Sequence, residues 1–141
     1  MRISARNILK GTISAVKEGA VNAVVSIDTG DQVIKSDITI EAVKDLGLAV
    51  GKEACAVIKA SNILVAAAEA PLANISARNQ LAGTIAQVNK GAVNGHVVIT
   101  LADGVRLTAS ITNEAIDSLG LAEGQKALAI IKATDVLVAV D

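Results

Sequence analysis

From Ile8 onward apolar and polar positions alternate in short runs. Ile8-Leu9-Lys10-Gly11-Thr12-Ile13-Ser14-Ala15-Val16 gives way to Lys17-Glu18-Gly19-Ala20, and alternation resumes from Val21 to Ile27. β-Branched residues near period two predict half-buried strands, and the break between them predicts a turn. The cluster Thr29-Gly30-Asp31 predicts a second turn, and residues 32–38 a third strand. The period then changes over residues 39–47. Thr39 is placed as an N-cap, Glu41 lies in the first turn and Gly47 just past the end, which predicts one short helix. After a turn at Gly51 come two more strand-like runs, residues 54–59 and 63–67.

The whole pattern then recurs. Ile3-Ser4-Ala5-Arg6-Asn7 returns as Ile75-Ser76-Ala77-Arg78-Asn79, Gly11-Thr12-Ile13 as Gly83-Thr84-Ile85, and Gly19-Ala20-Val21-Asn22 as Gly91-Ala92-Val93-Asn94. From Ile38 the partner sits one residue further on: Ile38-Thr39, Glu41-Ala42, Leu46-Gly47-Leu48 and Ile58-Lys59-Ala60 recur as Ile111-Thr112, Glu114-Ala115, Leu119-Gly120-Leu121 and Ile131-Lys132-Ala133. One extra residue between identical blocks suits a hairpin tip and not a packed strand. The chain therefore divides into two units, residues 1–68 and 75–141, joined by residues 69–74 around Pro71, the only proline. This linker is short and not glycine-rich, so a fixed relation between the units is expected. About five strands and one short helix per unit predict an all-β chain, two tandem small Greek-key barrels of OB-like type.

Composition adds a constraint on assembly. There is no Phe, Tyr or Trp, yet 52% of the residues are hydrophobic. Two aliphatic units near the lower size limit for a self-sufficient core have more apolar surface than they can hide, so contact between units or chains, in an obligate oligomer, is expected. Thirteen basic and fourteen acidic residues give a net charge of -1. That argues against a nucleic-acid partner, as does the lack of aromatic stacking platforms. No leader pattern and no apolar run of about 18–20 residues is present, so neither export nor a membrane partner is expected and a cytoplasmic protein is the default. Cys55, the single cysteine, lies in an alternating run and is read as a strand residue; no disulfide or thiolate metal site can be built from it.

Candidate chemistry is confined to donors. No carboxylate pair repeats, the single His96 is aligned with Ala23 and read as a solvent-facing strand residue, and no Ser-His-Asp set can be assembled twice, so no enzyme is expected. Both units do keep Ser4, Arg6 and Asn7 with Lys59 and Ser61, or Ser76, Arg78 and Asn79 with Lys132 and Thr134. Arg and Lys only donate hydrogen bonds and a hydroxyl donates one, so such a set fits a fully deprotonated tetrahedral oxyanion, whose oxygens only accept. The Gly19 and Gly91 turns offer a second concavity for backbone N–H groups. Ser-x-Arg-Asn on a strand edge could equally be a solvated device that blocks edge pairing.

These blocks, ordered and duplicated, resemble the Mop domain of the molbindins, in the tandem or di-Mop arrangement, over nearly all of the chain outside the linker. The resemblance implies an OB-like barrel (Mop/TOBE type), six Mop units from three chains, and molybdate or tungstate held between units, with no other cofactor and no metal except as the oxyanion. It places Ser4, Ala5 and Arg6, with Ser76, Ala77 and Arg78, in one half of an oxyanion site. Lys59, Ala60 and Ser61, with Lys132, Ala133 and Thr134, form the other half, from a neighbouring unit. Thr39 and Thr112 lie nearby in the family pattern. Gly19, Ala20, Val21 and Asn22, with Gly91, Ala92, Val93 and Asn94, match a second class of site lined by backbone near a three-fold axis. The one departure noted is Thr134 for Ser61. The implied role is molybdenum storage or homeostasis in the cytoplasm by a homotrimer. Alternatives are an anion-sensing regulatory module, for which no helix-turn-helix or Gly-x-x-x-x-Gly-Lys-Ser/Thr segment is present, and a purely structural OB-like oligomer.

Overall fold

The computed structural model describes all 141 residues. Each unit opens with a 12-residue strand, β1 (Asn7–Glu18) in the first. Its first half pairs antiparallel with β4 (Glu53–Ile58), from Asn7↔Ile58 to Thr12↔Glu53, and its second half with β2 (Asn22–Asp28), from Thr12↔Asp28 to Glu18↔Ala23. A register shift between Ile13 and Ala15 bends the strand where it passes from one partner to the other. β3 (Val33–Thr39) extends the sheet beyond β2. Helix α1 (Ile40–Asp45) follows, and the Thr39 hydroxyl accepts the Ala42 N–H at 3.1 Å as the cap the sequence predicts.

The second unit repeats this as β6 (Asn79–Lys90), β7 (Asn94–Leu101), β8 (Arg106–Thr112), α2 (Asn113–Leu119, capped by Thr112) and β9 (Lys126–Ile131). The extra residue lies at a hairpin tip, as expected: residues 29–32 link Asp28 to its partner Val33, whereas residues 101–105 link Thr100 to its partner Arg106.

The last strand of each half goes elsewhere than the sequence reading placed it. β5 (Leu64–Ala66) pairs with β9 of the second unit, starting at Leu64↔Ile130. β10 (Val136–Ala139) pairs with β4 of the first, starting at Val136↔Ile58. The sheets therefore run β10-β4-β1-β2-β3 and β5-β9-β6-β7-β8, each barrel completed by a strand from the other half of the chain. Alternation identifies residues 63–67 and 136–140 as strands but says nothing of which edge each joins. The exchange merges the cores: one aliphatic cluster contains Ile13, Ile34, Ile58 and Val136 together with Ile63, Ile85, Leu107 and Ile131. Cys55 is a half-buried residue of β4.

Curvature makes two glycines obligatory. A Cβ on Gly11 would lie 2.5 Å from the Asp28 carbonyl oxygen and 2.8 Å from Ile27 Cγ2; on Gly83 it would lie 2.5 Å from the Thr100 oxygen and 2.6 Å from Ile99 Cγ2. The obstacles include backbone atoms of the paired strand, which cannot swing aside. Gly11→Ala is expected to lose about 1–3 kcal/mol, the usual cost of forcing extra volume into a packed site, read as a lower urea midpoint at unchanged slope.

Candidate oxyanion site

The β1–β4 register builds the site. Because Asn7 opens β1 opposite Ile58, the end of β4, the residues before one and after the other leave the sheet side by side. Ser4, Ala5 and Arg6 thus stand next to Lys59, Ala60 and Ser61. Lys59 is extended (φ -71, ψ 134) and leads into a 3₁₀ turn, Ala60–Asn62, closed by the Asn62 N–H on the Lys59 carbonyl at 2.9 Å. These six residues line a cavity of about 460 Å³ with Ile3 and Val57, and His96, Ser110 and Leu137 close it from the other half of the chain.

The charges here are unopposed. Arg6 and Lys59 are exposed, no carboxylate lines the cavity, and the one ion pair in the chain, Lys90–Asp117, is formed by other residues. Two cations, the hydroxyls of Ser4, Ser61 and Ser110, and an imidazole converge on it. Such a lining holds an acceptor-only group well and a cation poorly.

Several placements differ from those read from the sequence. Lys59, Ala60 and Ser61 lie beside Arg6 on one barrel, just past the ends of two paired strands; what crosses from the other unit is His96, Ser110 and Leu137. Asn7 and Asn79, read as candidate anion donors, are only 2% and 1% exposed and already engaged. Asn7 Nδ2 donates to the Thr108 carbonyl at 2.9 Å and Oδ1 accepts the Thr108 N–H at 2.8 Å; Asn79 does the same with Lys35, both at 2.8 Å. Each asparagine ties its unit to the third strand of the other. His96 corresponds to Val24 and not to Ala23, since Asn22↔Thr39 and Asn94↔Thr112 fix a frame in which Val24 pairs with Asp37 and His96 with Ser110.

In the second unit Asn79↔Ile131 sets Ser76, Ala77 and Arg78 beside Lys132, Ala133 and Thr134 in the same way, with a 3₁₀ turn over Ala133–Asp135. Thr39 and Thr112 do not line the Arg6 cavity; each pairs with the asparagine of a glycine-led turn. In those turns Gly19 N–H donates to the Asn22 carbonyl and Gly91 N–H to the Asn94 carbonyl, both at 2.8 Å, and the N–H groups of Ala20, Val21, Ala92 and Val93 have no backbone partner. The sequence reading missed Asn113, whose Nδ2 donates to the Gly91 carbonyl at 2.9 Å and braces the second turn alone, since Ile40 holds the equivalent place.

Comparison with known proteins finds relatives of both units. The TOBE domain model matches residues 3–65 and again 75–138. The molybdenum transport protein ModE of Herbaspirillum seropedicae is 45% identical over 141 residues, 99% of this chain and 52% of that protein. The molybdenum-pterin-binding protein MopA of Rhodobacter capsulatus is 41% identical over 140 residues, again 99% of this chain and 52% of its own length. A probable molybdenum-pterin-binding protein of Haemophilus influenzae matches one unit, 52% identical over 66 residues, 46% of this chain and 96% of that protein. The chain thus spans about half the length of the first two relatives. Among solved structures, the cytoplasmic molybdate-binding protein ModG with molybdate bound superposes with a TM-score of 0.95 at 44% identity, covering 100% of both chains. With both units matched in tandem, the chain belongs to the TOBE domain family, as two copies of that domain.

Proposed function

We propose that this chain binds molybdate or tungstate where its halves meet, and serves as a non-enzymatic store of the oxyanion in the cytoplasm. The observation that carries the reading is the carboxylate-free cavity in which Arg6 and Lys59 converge with Ser4, Ser61 and Ser110. A dianion with four acceptor oxygens uses all of these donors, whereas a protonated anion would find no carboxylate to take its O–H. Support comes from relatives whose names tie them to molybdenum and from a similar protein that holds molybdate. No helix is long and apolar enough to cross a membrane.

The same reading takes residues 1–68 and 75–141 as the binding units, linked by residues 69–74, and the Gly19–Asn22 and Gly91–Asn94 turns as a second class of site served by backbone amides. It also gives the chain a homotrimeric assembly. Ile3, Ile8, Val21, Leu64, Val93 and Leu137 are all exposed on the single chain, an apolar surface that contact between copies would cover. A regulatory role has one specific support: in ModE the matched region is 52% of a longer protein.

Titration calorimetry with molybdate tests the proposal. Binding should be saturable and survive salt that abolishes sulfate binding, and Arg6→Ala should weaken it by about tenfold to a hundredfold, the usual loss for a hydrogen bond to a charged group. Arg6→Lys should recover only part, since an ammonium lacks the guanidinium's two parallel donors. Equal affinities for molybdate, sulfate and phosphate at one ionic strength would reduce the site to general charge attraction.

A further inference from the structure

The two donor sets are alike in themselves but face different surroundings. β8 passes the Ala60–Asn62 turn and β3 passes the Ala133–Asp135 turn. The asparagine bridges fix the correspondence, because Asn7 holds Thr108 where Asn79 holds Lys35. Two residues further on, Ser110 of β8 therefore corresponds to Asp37 of β3, and through strand pairing His96 corresponds to Val24. In the turns themselves Asp135 stands where Asn62 stands. The cavity of the Arg6–Lys59 set is thus lined by a hydroxyl and an imidazole, where the corresponding positions of the other half, beside the Arg78–Lys132 set, carry a carboxylate and an aliphatic side chain. Asp37 adds an independent observation: its Oδ1 is buried with no hydrogen-bond partner.

Building on the reading of the two donor sets as oxyanion sites, we propose that the two sites of each chain are inequivalent. The Arg6–Lys59 site is the tight one, with His96 as a further donor reaching in from the other half, and the Arg78–Lys132 site is held weak by Asp37. A carboxylate oxygen shielded from water repels an incoming dianion with little screening. At the first site the sign is reversed. There His96 lines a cavity without carboxylates and can offer an imidazole N–H to the oxygens of the anion.

Calorimetric titration of the full chain with molybdate tests this. The Arg6–Lys59 and Arg78–Lys132 sites should titrate as separate classes, the tighter lost in Arg6→Ala and the weaker in Arg78→Ala. Asp37→Asn, which removes the charge at constant shape, should tighten the weaker class by about tenfold or more and leave the other unchanged. Asp37→Ser, copying Ser110, guards against a packing artefact of the amide. His96→Val, copying Val24, should weaken the tighter class by about tenfold, the usual loss for a hydrogen bond to a charged group, and His96→Gln, which keeps an N–H donor, should recover part of the affinity. One class of site in wild type, unmoved by Asp37→Asn and His96→Val, would overturn the inequivalence while leaving oxyanion binding intact. A wild-type chain that binds no molybdate would overturn both.

Discussion

Deletion of residues 136–141 is expected to unfold the first barrel, although those residues end the second half of the chain. β10 pairs with β4 from Val136↔Ile58 to Ala139↔Cys55, and Val136 is fully buried against the first barrel's core. The Ser36 hydroxyl donates to the Val136 carbonyl at 2.5 Å and so closes the seam between β3 and β10. Losing Val136 alone forfeits about 1.5–3 kcal/mol of burial, and β4 loses the backbone partners on one edge as well. Against a total stability of about 5–15 kcal/mol that is a large fraction. Hydrogen exchange should show protection lost at Ala54, Ala56 and Ile58 while the β6–β9 amides stay protected. Loss centred on β9 would mean that β10 completes its own half. The fragment 1–68 makes the same point from the other side: it lacks β10 and carries β5 with nothing to join, so it should dimerise by mutual donation of β5. A stable monomeric fragment would contradict the exchanged topology.

What could be read from the sequence is whatever is set locally. The strand alternation, the Thr39 and Thr112 caps and the hairpin-tip insertion each depend on a few adjacent residues, and each is found. The exchange of β5 and β10 is not local. The two segments present similar apolar faces to two similar edges, so pattern assigns either to either barrel. Asn7 was misread for a different reason: a side-chain amide satisfies a backbone pair as well as an anion, and only burial decides between them. Asp37 escaped notice because residues 29–37 fall where the repeat changes register, with no identical block to anchor the comparison with Ser110. His96 was aligned one residue off for want of the strand pairing that ties it to Ser110.

Asn7→Ala and Asn79→Ala are each expected to cost about 3 kcal/mol, although neither residue touches the aliphatic core cluster as an apolar group. Each substitution strands a part-buried backbone N–H and C=O of the opposite unit, at Thr108 or Lys35, and an unpaired group shielded from water costs about 1–3 kcal/mol. Calorimetry should register a fall of roughly 6–12 °C in Tm, taking about 2–4 °C per kcal/mol for a chain near this size. Asn→Asp at either site should be worse than Ala, since it sets a carboxylate against a carbonyl oxygen. The double variant should lose more than the sum, because the two bridges hold the same pair of barrels together and either one limits how far they part. The consequences for binding should diverge. Asn7 holds β8, and with it Ser110, over the Arg6–Lys59 cavity, so Asn7→Ala should weaken molybdate binding there, whereas Asn79→Ala, which frees β3, should spare that site. An Asn7→Ala chain that melts at the wild-type temperature and binds molybdate undiminished would show that the amide bridge does not position β8.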